Sequence, residues 1–276
     1  MVCPLCHSES KFAFAAKGFD LRDRVKCSHR FTAISADEAH VSEVYGDEYF
    51  SGGGAGYSDY LQEGEMLEKR GAMYAKILEK YSAKKGKMLD VGAAAGFLLK
   101  GFISENWNGI GLEPNAEMAT FGCEKLNLEI KQGSLETFET NEKFDLISMI
   151  QVAAHFYSPQ IAFQKAFDLL NENGFLLIET WNRDSFSAKI FGKNWHEYSP
   201  PSVLQVFSEK GLTDFLEMLD FEKIARGRPS KKISGAHAKS LLKYRLGDIF
   251  LLKLIPDNLN FPYPSEDLFW ALYQKK

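Results

Sequence analysis

The chain has 276 residues, 45% hydrophobic and 25% charged, with a formal net charge of −4 at pH 7. That is the length of one large globular domain, or of one domain with a small appendage, and the charge gives no global drive toward nucleic acid or an anionic membrane, so neither is an expected partner. No stretch reaches the roughly 18–20 apolar residues of a membrane span, and Met1-Val2-Cys3-Pro4 lacks a basic region followed by an apolar run, so a cytoplasmic location is expected.

Residues 1–42 read as a first, separate unit. They hold three of the four cysteines: Cys3-Pro4-Leu5-Cys6, a spacer, then Cys27-Ser28-His29-Arg30. This is metal-site spacing rather than a disulfide framework. A complete zinc ribbon would end in a second Cys-x-x-Cys, yet Arg30 stands where the fourth cysteine belongs. Cys3, Cys6, Cys27 and His29 are the candidate zinc ligands, with His7 a further source of imidazole. An eroded, metal-free ribbon is the alternative. A segment so short buries no core alone, so a metal or packing on the body must hold it.

Residues 43–276 read as the main domain. Tyr45, Tyr49 and Phe50 flank the glycine run Gly52-Gly53-Gly54, which resists regular structure. A mobile lid with aromatic anchors is one reading; a staple fastening the N-terminal arm to the body is the other. From about Asp59 to Tyr81 the spacing of Leu67, Gly71, Tyr74, Leu78 and Tyr81 predicts a helix. Strands and helices then alternate: strands at 88–91, 109–112, 128–131, 144–150 and 174–180, helices at 97–105, 116–126 and 161–170. Apolar runs separated by amphipathic helices are the sequence form of a parallel sheet covered on both faces. Residues 181–202 read as loop, with Trp195, His196 and Tyr198 as pocket walls or core anchors. A helix near 213–219 and a strand near 221–226 follow. A helical insertion is expected within 229–265, around Ala238–Ile255, before a last strand at 268–273.

The chemistry concentrates at Leu89-Asp90-Val91-Gly92-Ala93-Ala94-Ala95-Gly96, between the first of these strands and its helix. Only small residues occupy the bend, so backbone can approach a ligand closely, and ligands of such sheets bind beyond the carboxyl ends of the strands. Glu113 ends the next strand about 20 residues after Gly92, where an acidic residue meets ribose hydroxyls in nucleoside-binding α/β units. The bend reads Gly-Ala-Ala-Ala-Gly rather than Gly-x-Gly-x-x-Gly, and Asp90 precedes it. A carboxylate there opposes a pyrophosphate and suits the ammonium of an amino-acid tail. An adenosyl amino acid is favoured over a dinucleotide.

Leu89–Gly96 resembles motif I of class I S-adenosylmethionine-dependent methyltransferases, and Gly111-Leu112-Glu113-Pro114-Asn115 resembles their second motif. Gln132-Gly133-Ser134-Leu135-Glu136 falls where that family contacts adenine, with Ser134 in place of the usual acidic residue. Phe144–Phe156 is similar to the fourth motif and Leu169–Thr180 to the fifth strand and its preceding turn. The Cys-x-x-Cys start, Tyr45-x-x-x-Tyr49-Phe50 and Phe191-Gly192-Lys193-Asn194-Trp195 resemble a bacterial group linked to methylation of sugars, polysaccharide precursors and secondary metabolites. The resemblance implies an α/β, Rossmann-like, doubly wound seven-stranded and mostly parallel sheet with a small N-terminal ribbon-like arm. It implies S-adenosyl-L-methionine as cofactor, held by Asp90, Gly92, Ala93, Ala94, Gly96, Glu113, Pro114, Gly133, Ser134, Leu135, Gln151 and Tyr49. A small-molecule acceptor would approach near His155, a candidate general base; a helix-capping or packing histidine is the plainer reading. An RNA methyltransferase, or a non-catalytic nucleoside-binding protein of the same fold, are the rival functions.

Overall fold

A computed structural model describes residues 1–24, 27–46, 50, 60–230, 232–235, 239, 243, 256, 259–262 and 265–276. Thirteen strands are described. β1 (Lys11–Ala16), β2 (Phe19–Arg24) and β3 (His29–Thr32) form an antiparallel meander at the N-terminus. Then come β4 (Lys87–Val91), β5 (Asn108–Glu113), β6 (Ile130–Gln132), β7 (Phe144–Ile150), β8 (Leu170–Trp181), β9 (Gln205–Val206), β10 (Phe221–Gly227), β11 (Lys232–Ser234), β12 (Asn260–Pro262) and β13 (Leu268–Lys275). The helices are α1 (Glu38–Val44), α2 (Gly64–Glu79), α3 (Phe97–Ser104), α4 (Ala116–Leu126), α5 (Pro159–Leu169), α6 (Phe186–Phe191) and α7 (Glu209–Glu217).

The central sheet has seven strands in the order β10-β13-β8-β7-β4-β5-β6. β6, β5, β4, β7 and β8 run parallel to one another, and β13 lies antiparallel between β8 and β10. The chain leaves β4 toward β5 on one side and reaches β7 on the other, so β4 lies at the point where strand order reverses. Crevices at such points receive ligands in open α/β sheets.

Alternation along the strands divides the core between the two faces. Leu89, Val91, Ile147 and Met149 pack with Phe163, Phe207 and Phe215, while Met88, Leu146 and Ile150 pack with Tyr74, Leu78, Phe102 and Trp107. Each such side chain contributes about 1.5–3 kcal/mol when fully buried. On the second face α2 and α3 approach through glycines. A Cβ on Gly71 would lie 2.1 Å from the Leu98 carbonyl oxygen, and one on Gly101 2.1 Å from that of Glu68. Gly71 falls on the periodic face read from sequence, where close helix contact accounts for a residue of poor helix propensity. Local signals set the helix starts: Asn115 accepts from the Met118 amide, Ser208 from the Gly211 amide, and Pro159 opens α5.

The sequence did not mark every element. Residues 181–202 contain α6, started by Ser185, where a loop was expected. The strand expected at 174–180 extends over Leu170–Trp181. The expected helical insertion around Ala238–Ile255 lies outside the described residues apart from isolated positions, as does the glycine run 52–54; β11 and β12 form an antiparallel pair at the edges of that stretch. The N-terminal meander is joined to the body by main-chain pairing, because Arg30 and Phe31 of β3 pair with Val206 and Gln205 of β9. Cys3, Leu5 and Phe31 enter the main core. Among the described residues no helix is long and apolar enough to cross a membrane.

Candidate cofactor and acceptor site

The carboxyl ends of β4, β5 and β7 bring together most of the residues marked in the sequence. Asp90 is 2% exposed, and its register partner on β7 is Ser148. The pairing sets the two side chains side by side on one face of the sheet, and the Ser148 hydroxyl donates to Asp90 Oδ1 at 2.6 Å. Oδ2 is buried with no hydrogen-bond partner among the described residues. Burial pushes the Asp90 carboxyl up to about 7, against the Ser148 hydrogen bond. A buried, half-satisfied carboxylate is costly unless a cation or donor meets it.

The bend follows directly. The Gly92 and Ala93 amides donate to the Leu112 carbonyl at 2.8 and 3.1 Å, which closes the turn against β5. Gly92 has φ +68°, and a Cβ there would lie 2.2 Å from Val152 Cγ2. Ala94 adopts φ +47°, in the left-handed region, and Gly96 ends the bend at φ +85° before α3. The Ala94 amide donates to Glu113 Oε2 and the Asn115 amide to Oε1, each at 2.8 Å. These two bonds hold the Glu113 carboxyl at the mouth of the bend. Burial pushes it up to about 7, opposed by those amides. No basic side chain bonds to Asp90 or Glu113 among the described residues.

Pro114 follows Glu113 at the turn into α4. Gly133, at φ +146°, and Ser134 follow β6, with Ser134 Oγ 3.1 Å from Thr137 Oγ1. The Leu135 side chain packs in the main core. Gln151 has φ +60°; its amide donates to the Glu179 carbonyl at 2.7 Å and its side chain to Glu179 Oε1 at 2.9 Å. Tyr49 lies outside the described residues.

His155 closes a single 3-10 turn, Ala153–His155, beyond β7. Its Nδ1 lies 2.6 Å from the Tyr45 hydroxyl and 2.9 Å from the Ser202 carbonyl oxygen. Burial pushes its pKa below the ordinary imidazole value, against the Ser202 and Gln151 carbonyls. Tyr45 therefore staples α1 to the body. Trp195 and Tyr198, read as pocket walls or core anchors, are 1% and 5% exposed and belong to a core cluster with Leu21 and Val206. Trp195 Nε1 donates to Asp267 at 3.0 Å.

Cys3, Cys6 and Cys27 converge at the N-terminus. Their sulfurs all lie within 4.8 Å of one another, with Cys27 Sγ 3.4 Å from Cys6 and 3.7 Å from Cys3. His29 stands apart from this cluster: it is 2% exposed, stacks on Phe31 and bonds through Nε2 to Gln205 at 2.8 Å. Burial lowers its pKa to about 4. Strand alternation explains the placement, because His29 opens β3 with its side chain on the core face that Phe31 shares.

Two features of the site were not marked in the sequence. Ser148 is a lone serine within an apolar strand, which is a usable signal. Glu179, fully buried near the end of β8, receives hydrogen bonds from Arg70 and Tyr74 of α2. A charged residue closing an apolar run is the signal that points to it, but only the structure supplies its partners.

The sheet order, the small-residue bend and the carboxylate closing the next strand define the class I S-adenosylmethionine-dependent methyltransferase fold. The same architecture is found in magnesium protoporphyrin IX methyltransferase from Synechocystis PCC 6803, solved with bound S-adenosylhomocysteine (TM-score 0.56, 12% identity, covering 87% of this chain and 100% of that one). It is also found in an S-adenosylmethionine-dependent methyltransferase from Clostridium acetobutylicum (TM-score 0.51, 10% identity, 75% and 91%). The methyltransferase domain family matches residues 66–226, and the chain belongs to it. Among curated proteins, the chain is 26% identical over 143 residues to the ubiquinone biosynthesis O-methyltransferase of Pelagibacter ubique, covering 45% of this chain and 60% of that protein. It is 25% identical over 159 residues to the protein of the same name from Rickettsia prowazekii, covering 50% and 63%. The chain spans about half the length of the curated relatives it matches, from 46% to 63%.

Proposed function

We propose that this protein transfers the methyl group of S-adenosylmethionine to a hydroxyl of a small molecule. The observation that carries the reading is Asp90: a buried carboxylate with one oxygen unpartnered among the described residues, set beside a bend packed so closely that a Cβ at Gly92 would collide with Val152. Once ionised, that oxygen is satisfied by a cation or a hydrogen-bond donor, and the α-ammonium of an adenosyl amino acid is both. Asp90 and the backbone of residues 92–96 would hold the methionine part, Glu113 the ribose hydroxyls, and the backbone at Gly133 and Ser134 the adenine edge. Pro114 shapes the turn beside the ribose. The main-chain bonds on Glu113 leave each of its oxygens a further lone pair for a hydroxyl donor.

The bound cofactor supplies an electrophilic methyl on a sulfonium, and the electron pair of the broken C–S bond stays on sulfur. The chain's own work is alignment and proton removal. Preorganised backbone at 92–96 fixes the seat, and alignment alone supplies much of the acceleration in transfers of this kind. His155, neutral because burial lowers its pKa, accepts the proton of the acceptor hydroxyl as that oxygen bonds to the methyl. An oxygen acceptor is supported by the O-methyltransferase names of the partial relatives. A net charge of −4 favours a small molecule over RNA.

The test is incubation of the purified chain with cofactor labelled in the methyl group and a fractionated cell extract. Label is expected in a low-molecular-mass fraction. Label in RNA, or in no fraction despite tight cofactor binding, would contradict this reading.

The three N-terminal thiols fit zinc. Sulfurs about 3.8 Å apart surround a tetrahedral zinc at the usual bond length of about 2.3 Å, and two of the three spacings here are 3.4 and 3.7 Å. Cys3, Cys6 and Cys27 are the proposed ligands, and His29, held by Gln205, is left out. Elemental analysis of the purified protein should find about one zinc per chain, lost in Cys27→Ser; a metal-free parent protein would refute the site.

A further inference from the structure

Cys6 and Cys27 stand on two separate main-chain frames, each fixed by contacts of its own. The hairpin of residues 2–9 carries Cys3 and Cys6. In it the Cys3 amide donates to the Ser8 carbonyl at 2.8 Å, the His7 amide donates to the Cys3 carbonyl at 2.9 Å, and Val2 pairs with Glu9. His7, next to Cys6, turns the chain at φ +50°, and its Nε2 is hydrogen-bonded to the Gln160 side chain of α5. Cys27 belongs to the second frame, shortly before β3. Ser28 turns the chain there at φ +52°, and a Cβ on Gly211 of α7 would lie 3.2 Å from the Cys27 carbonyl oxygen.

The two frames bring Cys6 Sγ to 3.4 Å from Cys27 Sγ, and Cys3 Sγ is 3.7 Å from Cys27. Access to water separates the three. Cys3 is 0% exposed and packs in the main core with Leu5 and Phe31, whereas Cys6 and Cys27 are half-buried and border that core. A dissolved oxidant therefore meets Cys6 or Cys27 before Cys3. Whichever it meets, the other stands in contact, and a sulfenic acid beside a thiol condenses to a disulfide. Groups held at contact distance react at high effective concentration, which favours condensation over a second oxidation. Cys123 is placed differently: it is exposed, its sulfur is 3.5 Å from the Ile130 carbonyl oxygen, and it lies outside the thiol cluster.

We propose that Cys6 and Cys27 are an oxidation site for peroxides, closing a reversible disulfide within the N-terminal arm while Cys3 keeps its thiol. The sulfur of one cysteine attacks a peroxide oxygen; the S–O bond forms, the O–O bond breaks, and water leaves. The sulfur of the other then displaces the second oxygen, which takes the remaining thiol proton and leaves as water. Two thiols lose two electrons and two hydrogens, and hydrogen peroxide is reduced to two waters. This is a regulation of the cluster proposed for zinc, and it rests on that reading only for the metal: zinc left with one thiolate of three is released. The disulfide needs the thiols alone.

The test treats the full reduced chain with one equivalent of hydrogen peroxide. Four free thiols should fall to two, and dithiothreitol should restore four. Tryptic mapping without reductant should find the fragment ending at Lys11 joined to the one ending at Arg30, and tandem mass spectrometry should place the link on Cys6. Cys3→Ser should keep the link. A link that holds Cys3 or Cys123, or sulfinic acid at Cys6 in place of a link, would overturn the proposal from the parent protein alone. A chromogenic chelator should report zinc released in step with the thiols lost. Metal-free parent protein that still forms the link would refute the zinc reading and leave the oxidation site standing. Zinc-bearing protein that loses metal to peroxide without forming the link would refute the oxidation site and leave the zinc reading.

Discussion

Two carboxylates sit in one sheet, on the strands either side of β7, and differ in what faces them. Asp90 lies near the end of β4 and Glu179 near the end of β8; both are buried, at 2% and 0% exposure. Glu179 is met by the Arg70 guanidinium, the Tyr74 hydroxyl and the Gln151 amide. Among the described residues Asp90 has a single serine hydroxyl and an oxygen with no partner. The contrast separates two uses of a buried charge. A carboxylate matched by the chain's own cation locks α2 onto the sheet. A carboxylate left unmatched at the switch point of the sheet is, in the proposed function, completed from outside by a ligand that brings the cation.

The largest effect should come from the matched side. Glu179→Ala removes the buried carboxylate that meets Arg70, and breaking such a pair is destabilising by about 3–5 kcal/mol. Urea unfolding should show that loss, whereas Asp90→Asn, which removes an unmatched charge, should leave stability unchanged or raised. Equal losses in the two variants would erase the distinction.

Next in size is ligand binding. Glu113→Ala should weaken S-adenosylhomocysteine by about 10- to 100-fold, as expected for hydrogen bonds to a charged group. Glu179→Gln, provided it folds, should weaken it far less. Calorimetry distinguishes them, and a Glu113→Ala variant that binds like the parent would move the ribose site elsewhere.

Smaller still is the pH dependence. Burial raises Asp90 and Glu113 to about 7, while unfolded carboxylates titrate near ~4. Between those values the folded chain holds more protons than the unfolded one, so their contribution to stability is full below about pH 4 and is lost as pH rises through about 7. The ligand-free protein should therefore lose stability through this contribution between pH 5 and pH 8, and Asp90→Asn should flatten the slope. Thermal unfolding across that range reads it directly. Ligand affinity should run the other way, rising with pH as Asp90 ionises; parallel trends would contradict the assignment.

The sheet was legible in the sequence because its signals are local. Apolar runs, N-caps such as Asn115 and Ser208, and the small-residue bend after Val91 each act within a few residues. That Asp90, Gly92 and Glu113 lie close together was legible for the same reason, since the ends of adjacent parallel strands must lie together. The partners were not. That Ser148 meets Asp90 depends on the β4–β7 register, and that Arg70 and Tyr74 meet Glu179 depends on how α2 lies across the sheet. His29 looked like a metal ligand by spacing, yet the pairing of β3 with β9 turns it into the core beside Gln205. Tyr45, read either as lid or as staple, is a staple because its hydroxyl reaches across 110 positions of chain to His155.

The most direct measurement compares S-adenosylhomocysteine with its analogue lacking the α-amino group, by calorimetry at pH 8 on the parent and on Asp90→Asn. The parent should bind the amine-bearing ligand at least about tenfold more tightly, as a charge-assisted hydrogen bond requires, and the variant should not tell the two apart. Equal binding of both ligands by the parent would show that Asp90 meets no ammonium.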